Sequence, residues 1–373
     1  MSYVVVTGAN GFIGNNVLDS LLRQPPTFFE KDRVIRSKFA SGTTDPVQYV
    51  ICDLPESLSR RNVNRFMGSA RVVFVSQQQL NSYLQTRTDA ALAVIHNGAC
   101  SSTTETDPEI FATLNLKASQ DLWNFCANRN IPFIYASSAS VYGDGTLGFC
   151  DDPQKSIQFK ALNLYGKSKL DFDLWTLEQK QTPSHWFGLR YFNVYGPFEA
   201  HKNAQASMVF HSYNQILKTG CVKLYESNLA SLAHGAQQRD FVYVEDVVAI
   251  TMQLLERSLR LRELANGQPA NLAQTEGQSG EVDAVDFPKR GAFLNIGTGT
   301  ARTWNDLAHG VFAALSIAPK IEYVPMPENL ARHYQNFTCA ELTNLRRWGV
   351  DHTFRVLEDG IDRYVKRFLM RGL

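Results

Sequence analysis

Net charge is almost absent from this chain. Its 37 Lys and Arg stand against 36 Asp and Glu, leaving a formal charge of +1 over 373 residues. That balance argues against a global attraction to nucleic acid or to an anionic membrane, although a local basic cluster can still meet an anionic small molecule. Apolar runs of membrane-spanning length are missing, and the opening MSYVVVTGANG has no basic segment ahead of an apolar one. Cysteine is sparse: six residues, none in a CxxC pair and none clustered with histidines. This gives no zinc signature and fits a reducing compartment. Internal repeats are lacking too. The expectation is a soluble, cytoplasmic protein that holds no metal, nucleic acid or membrane.

What remains is ample apolar material, 44% of the chain, enough for one large core or two domains. Val4–Val6 opens as a β-branched run, and Asn15–Arg23 follows with helical spacing in Val17, Leu18, Leu21 and Leu22. Further strand-like runs stand at Val47–Cys52, Val72–Val75, Ala93–His96, Phe133–Ala136 and Trp186–Tyr191, with helical patterns at Phe111–Ala127 and Lys167–Gln179. Alternating strand and helix predicts an α/β fold built on a doubly wound parallel sheet. Two stretches, 24–46 and 258–290, are polar and read as surface insertions. After 291 the pattern gives a helix near 303–315, a strand near 321–324 and a terminal helix near 354–369.

The first motif is TGANGFIG, with Gly8, Gly11 and Gly14 between strand and helix. One glycine permits the tight turn, one lets the backbone approach a pyrophosphate, and one brings helix and strand close. The free amides at the helix N-terminus then face the anion. This predicts a Rossmann-type dinucleotide site. The choice of nicotinamide cofactor stays open at this level. Asp53 ends VQYVICD and suits a ribose 2′-hydroxyl, which favours NAD. Arg33–Arg36 is an alternative second strand whose Arg36 and Lys38 would suit a 2′-phosphate, and Arg60 and Arg61 could serve the same end beside Asp53.

The second motif is Tyr165 and Lys169, spaced YxxxK on one helix face. A phenol titrates near ~10, so it needs a nearby ammonium and a positive nicotinamide ring to favour phenolate. It can then exchange a proton with an alcohol while hydride moves. The Phe133–Ala136 strand runs into Ser137 and Ser138, where a serine hydroxyl is placed to hold the reacting oxygen, with Ser138 as the candidate. Glycine turn, strand-end serine and YxxxK, in that order, resemble the extended branch of the short-chain dehydrogenase/reductase superfamily. Its 4,6-dehydratases carry an Asp-Glu pair after the strand-end serine, and here Ala139 and Ser140 stand in those places. Dehydratase chemistry is disfavoured, and dehydrogenases and epimerases remain.

A closer resemblance is carried by HNGACSSTTETD (96–107), YASSASVYG (135–143), NLYGKSK (163–169), LRYFNVYGPFEAHKNAQASMVFH (189–211), QRDFVYVEDV (238–247), FLNIGTG (293–299) and YQNFTCAELTNLR (334–346). Together these are similar to the ADP-glycero-manno-heptose 6-epimerases of lipopolysaccharide core synthesis. The resemblance implies bound NADP in preference to NAD, an ADP-heptose substrate, and a homo-oligomer, with a pentamer suggested. It implies a cofactor site at Phe12, Ile13, Asp53, Leu54, Asn97, Gly98, Ala99, Cys100, Ser101, Asn115, Lys169, Val194 and Lys202. Substrate contacts fall on Asn193, Ala204, His211, Tyr225, Glu226, Arg239 and Tyr334, with Tyr165 and Lys202 as paired acid/base groups. Ala204 stands where the family has serine. Arg60 is the basic group expected to offset Asp53 beside a 2′-phosphate.

The chemistry supplies a reason for two bases. A carbinol hydrogen with no adjacent carbonyl is not acidic, so inversion proceeds through transient oxidation and return of hydride to the opposite face. The ketone oxygen then lies elsewhere, out of reach of Tyr165. Lys202 is expected to serve that second position. A nucleotide-sugar 4-epimerase of the same branch and a non-catalytic NADP-sensing protein are the rival readings. By this reading residues 1–192, joined by about 238–257, bind the cofactor, while 193–237 and 291–373 form a smaller α/β substrate-binding domain.

Overall fold

The β-branched run near the start folds as β1 (Ser2–Thr7), with every residue buried. A strand buried on both faces belongs inside a parallel sheet covered by helices, and β1 lies there. The computed structural model describes residues 2–23, 47–59, 66, 68–265, 291–331 and 334–372. Within them β2 (Gln48–Asp53), β3 (Val72–Ser76), β4 (Ala90–His96), β5 (Phe133–Ser138), β6 (Trp186–Tyr191) and β10 (Gly291–Ile296) join β1. The order of this seven-stranded sheet is β10-β6-β5-β4-β1-β2-β3. Every neighbouring pair runs parallel. Strand order reverses between β1 and β4, the switch point where doubly wound folds bind ligands beyond the strand C-termini.

The helices that cover the sheet include α1 (Phe12–Arg23), α2 (Gln77–Thr86), α3 (Pro108–Phe111 continuing through Ala118–Arg129) and α4 (Leu164–Glu178). The middle of α3, Ala112–Lys117, is a π-helical turn. Asp107 caps α3 by accepting from the Glu109 amide, Pro108 sits at its start, and Asn130 closes it in the left-handed conformation at φ 50°. The main core packs Val4, Val6, Ile95, Ile134 and Leu189 against Val17, Leu18 and Leu21 of α1.

Two small sheets stand beyond the C-terminal edge. One orders β11 (Ala301–Thr303), β9 (Gln238–Tyr243) and β7 (Asn193–Tyr195), and the other pairs β12 (Ile321–Val324) with β8 (Val222–Tyr225). Between them pack α5 (Met208–Thr219), α7 (Trp304–Leu315) and α8 (Leu357–Arg367), around Val209, Phe312 and Ile361. A capping box in which Thr303 and Asp306 satisfy each other's backbone amides starts α7.

The helix α6 (Val244–Ala265) corrects the expected insertion at 258–290. Its first part continues the helix, and Ser258 and Leu259 are buried, because the apolar spacing of Leu254, Leu255 and Leu259 extends past the predicted edge. Residues 266–290 and 24–46 lie outside the described residues, as do the alternative strand Arg33–Arg36 and Lys38. Among the described residues no helix is long and apolar enough to cross a membrane.

Candidate active site

The glycine turn shows why side chains are excluded from it. Gly8 has φ +64°, and a Cβ there would lie 2.6 Å from the backbone of Asn97 and Gly98. At Gly14 a Cβ would stand 2.1 Å from the Gly8 carbonyl oxygen. The turn therefore presses α1 against β1 and leaves the first amides of α1 facing the cavity beside it. Gly14→Val is expected to cost about 1–3 kcal/mol through overpacking, with loss of bound dinucleotide. Thermal unfolding and the cofactor content of the purified variant check both.

β2 delivers Asp53 to the same edge. Its carboxylate accepts from the Asn10 amide at 2.9 Å and from the Leu54 amide at 2.8 Å. The strand alternative is thus settled for VQYVICD, which pairs with β1 in register from Tyr3–Gln48 to Thr7–Cys52. Arg60 and Arg61, the candidates for a 2′-phosphate, lie outside the described residues.

β5 runs two residues further than its apolar pattern and ends at Ser138. Ser138 caps the short 3₁₀ turn that follows, accepting from the Ser140 amide while its hydroxyl donates to Ser140 Oγ at 3.1 Å. The helix α4 begins three residues earlier than expected, because the Asn163 side chain caps it by accepting from the Gly166 amide at 2.8 Å. A Cβ at Gly166 would lie 2.8 Å from the Ser140 carbonyl oxygen, so the absent side chain brings α4 against the Ser138 turn. Tyr165 and Lys169 sit one helical turn apart at this contact.

Lys169 Nζ donates to the Ala136 carbonyl at 2.8 Å, and burial pushes its amine down to about 8. Burial raises the Tyr165 phenol above its ordinary value, opposed by the Ser138 hydroxyl.

Asn115 lies behind the cavity rather than on it. It occupies the π-turn of α3, 1% exposed, where its Oδ1 accepts from the Cys100 amide and its Nδ2 donates to the Cys100 carbonyl and to Ser168 Oγ. It ties the 97–101 loop to α4, a use of π-turns common at functional sites.

The stretch YGPFEAHKNAQASMVFH forms a turn, a 3₁₀ segment (Ala200–Gln205) and the start of α5, capped by Ser207. Lys202 is half-buried, and its ammonium lies 5.3 Å from the centre of the Phe12 ring. Burial lowers its pKa, and the Glu199 carboxylate acts in the opposite direction. The next residue, Asn203, takes φ 49° and ψ −122°, a conformation a non-glycine residue rarely adopts.

These parts line one cavity of about 900 Å³. Its walls include Gly8, Gly11, Phe12, Ile13, Gly14, Asp53 and Leu54, the loop Asn97–Thr104, Ser138, Tyr165, Lys169, Asn193, Val194, Lys202 and Ala204. His211, Tyr225, Glu226, Arg239 and Tyr334 are not among the lining residues. Arg239 is nevertheless close by: its guanidinium lies 5.7 Å from the Trp304 ring, a cavity wall, and 5.0 Å from the Tyr334 ring. Only 7% of Arg239 is exposed, and it makes no ion pair with another described residue. Tyr225 is exposed on β8, and the His211 ring lies against Phe210.

Sequence reasoning missed Trp304, Gln205 and Ser102–Thr104, all cavity residues. Gln205 Nε2 donates to Ser102 Oγ at 3.2 Å and joins two loops 103 positions apart. No local pattern predicts such a contact, and Trp304 reads as an ordinary helix residue. A dinucleotide fits the glycine end: the turn excludes Cβ atoms, and buried Asn97 Nδ2 has no hydrogen-bond partner among the described residues.

A glycine cradle at the switch point, with Ser138 at the end of β5 and Tyr165 and Lys169 on α4, defines a nicotinamide-dependent enzyme of the Rossmann type. The chain belongs to the NAD dependent epimerase/dehydratase family, whose model matches residues 4–263, and within it to the ADP-L-glycero-D-manno-heptose-6-epimerases. It is 42% identical over 287 residues to the ADP-L-glycero-D-manno-heptose-6-epimerase of Fusobacterium nucleatum, covering 75% of this chain and 77% of that one. With the Alkalilimnicola ehrlichii protein of the same name it shares 34% over 364 residues, 97% and 96% of the two chains. In fold it is similar to the Helicobacter pylori ADP-L-glycero-D-manno-heptose-6-epimerase, at TM-score 0.70 and 24% identity over 100% of this chain and 96% of that one. A Methanobrevibacter ruminantium UDP-N-acetylglucosamine 4-epimerase also scores 0.70, at 20% identity over 99% and 98%. The chain is therefore an epimerase that uses a nicotinamide cofactor.

Proposed function

We propose that this enzyme inverts C6 of ADP-D-glycero-D-manno-heptose to give ADP-L-glycero-D-manno-heptose, supplying lipopolysaccharide core assembly, with NADP as the bound cofactor. One observation carries the reading. Tyr165 with Lys169 and Ser138, and Lys202 from a separate segment, open onto the same cavity. A bound nicotinamide supplies reversible hydride transfer at the carbinol carbon. Tyr165, hydrogen-bonded with Ser138, exchanges a proton with the C6 oxygen in one orientation. Lys169 holds its positive charge beside that site. Lys202, its amine held more readily in the neutral form by burial, exchanges the proton after the side-chain carbonyl has rotated to offer its other face. The seven-stranded sheet would carry the cofactor, and the small sheets with α5, α7 and α8 would hold the sugar nucleotide.

Arg239 is suited to a phosphate, since its planar guanidinium binds two oxygens at once. Asp53 is held in place by the Asn10 and Leu54 amides, and beside a 2′-phosphate its charge requires a basic group such as Arg60 to offset it. Denaturing the purified protein and weighing the released small molecules tests the cofactor. NADP is expected, and NAD alone overturns that assignment. Turnover of ADP-heptose but not UDP-galactose is expected, and the reverse would favour a 4-epimerase. Several subunits of this chain are expected to assemble, which sedimentation of the purified protein measures.

A further inference from the structure

Lys202 depends on a group outside the expected set of site residues. Glu199 is fully buried, at 0% exposed. A carboxylate in that position needs compensation, and the hydrogen bonds it accepts from Gly196 and Ser207 tie the loop to itself. Oε1 accepts from the Gly196 amide at 3.3 Å and from Ser207 Oγ at 2.7 Å, while Oε2 accepts from the Ser207 amide at 2.6 Å. These contacts join the first and last residues of the 196–207 loop. The backbone adds a turn, in which the Lys202 amide donates to the Glu199 carbonyl at 2.9 Å. Behind the carboxylate stands Tyr364 of α8, 1% exposed, whose hydroxyl hydrogen-bonds with it. The loop is also strained, with positive φ at Phe198 (72°) and Asn203 (49°). Strain of about 1–3 kcal/mol per such residue persists only where surrounding contacts over-determine the conformation, and Glu199 supplies those contacts.

We propose that Glu199 is the positioning residue of the second acid/base: its buried carboxylate clamps the loop that presents Lys202 and sets a negative charge beside it. This rests on the reading of Lys202 as that acid/base. The charge has a definite direction of action. Among the described residues Glu199 is the charged group that acts on Lys202, raising the amine's pKa against the effect of burial. From α1 the lysine meets the uncharged Phe12 ring, and Tyr364 reaches Glu199 rather than the lysine. The enzyme thereby keeps a half-buried lysine from losing its proton too readily.

Glu199→Gln and Glu199→Asp separate clamp from charge. Gln retains most of the shape and removes the charge, while Asp keeps the charge and shortens the reach. Competitive acylation across pH, read peptide by peptide by mass spectrometry, reports the titration of Lys202 itself. In Glu199→Gln the lysine is expected to titrate lower by roughly half a unit to one unit. In Glu199→Asp its titration is expected to stay in place. Both variants should lose roughly tenfold to a hundredfold in kcat through misplacement, with KM and cofactor content close to wild type. An unmoved Lys202 titration in Glu199→Gln, or unchanged kcat in both variants, overturns the proposal. If Glu199→Gln fails to fold, Tyr364→Phe decides instead. It removes a hydroxyl outside the cavity, and a kcat equal to wild type would overturn the clamp. Lys202→Met distinguishes the two levels: if it remains active the acid/base reading fails, whereas its inactivity beside normal Glu199 variants defeats the present inference alone.

Discussion

Lys202→Met is expected to lower epimerisation by about 10²–10⁴-fold, the usual contribution of a positioned acid/base. Fold and bound cofactor should survive. The side chain is half-buried, pairs with no carboxylate within ion-pair distance among the described residues, and contributes its apolar stem to the wall beside Phe12. Methionine preserves that stem and removes only the amine. The assay is interconversion of the two heptose epimers followed by chromatography or NMR, beside a thermal melt. A variant that interconverts them at near wild-type rate would remove Lys202 from the chemistry.

Arg190→Met carries the largest expected loss of stability. Arg190 and Asp173 are both 0% exposed, and their charged groups meet at 3.0 Å. Asp173 also accepts from Tyr135 at 2.9 Å and from Ser137 at 2.9 Å. Arg190 in turn donates to Ser156 and Tyr142. Removing one partner of a buried pair leaves an uncompensated charge and costs about 3–5 kcal/mol. Burial already raises Asp173, and Arg190 opposes that rise. Without the arginine its folded pKa moves further above the unfolded value. The folded state then binds more protons than the unfolded one, so the variant's stability falls as pH rises through that range. Denaturant unfolding at several pH values should show a deficit smaller in acid than at neutral pH. A deficit independent of pH would mean that Asp173 does not carry it. Because Tyr135 and Ser137 belong to β5, the damage should reach Ser138 and reduce activity as well.

Much of this was legible in the sequence, for identifiable reasons. β12 matches its expected bounds because Lys320 and Pro325 flank the run, and β6 matches as well although apolar Phe192 follows it. The glycine turn is legible because a Cβ at Gly8 or Gly14 would overlap backbone atoms. Helix starts were less so: α4 begins before its apolar periodicity does, since the Asn163 cap rather than hydrophobic spacing sets it. Tyr165 was placed correctly beside Lys169 in the chain, but its raised phenol depends on burial, which emerges only when α4 closes on the Ser138 turn. Glu199 stands in the run LRYFNVYGPFEAHKNAQASMVFH with no role assigned to it from the sequence. Its task required knowing that Gly196 and Ser207, eleven positions apart, converge on one carboxylate. Trp304 and Arg239 meet because β11 pairs with β9, a long-range register that no local pattern encodes.

The central claim is that inversion proceeds by oxidation and return of the same hydrogen, with Tyr165 and Lys202 moving only protons on oxygen. Turnover of ADP-D-glycero-D-manno-heptose in deuterated water tests it directly. The account predicts an epimerised product carrying no solvent deuterium at C6. Deuterium at C6 of the product would show that the carbon exchanges its hydrogen with solvent, and would contradict it.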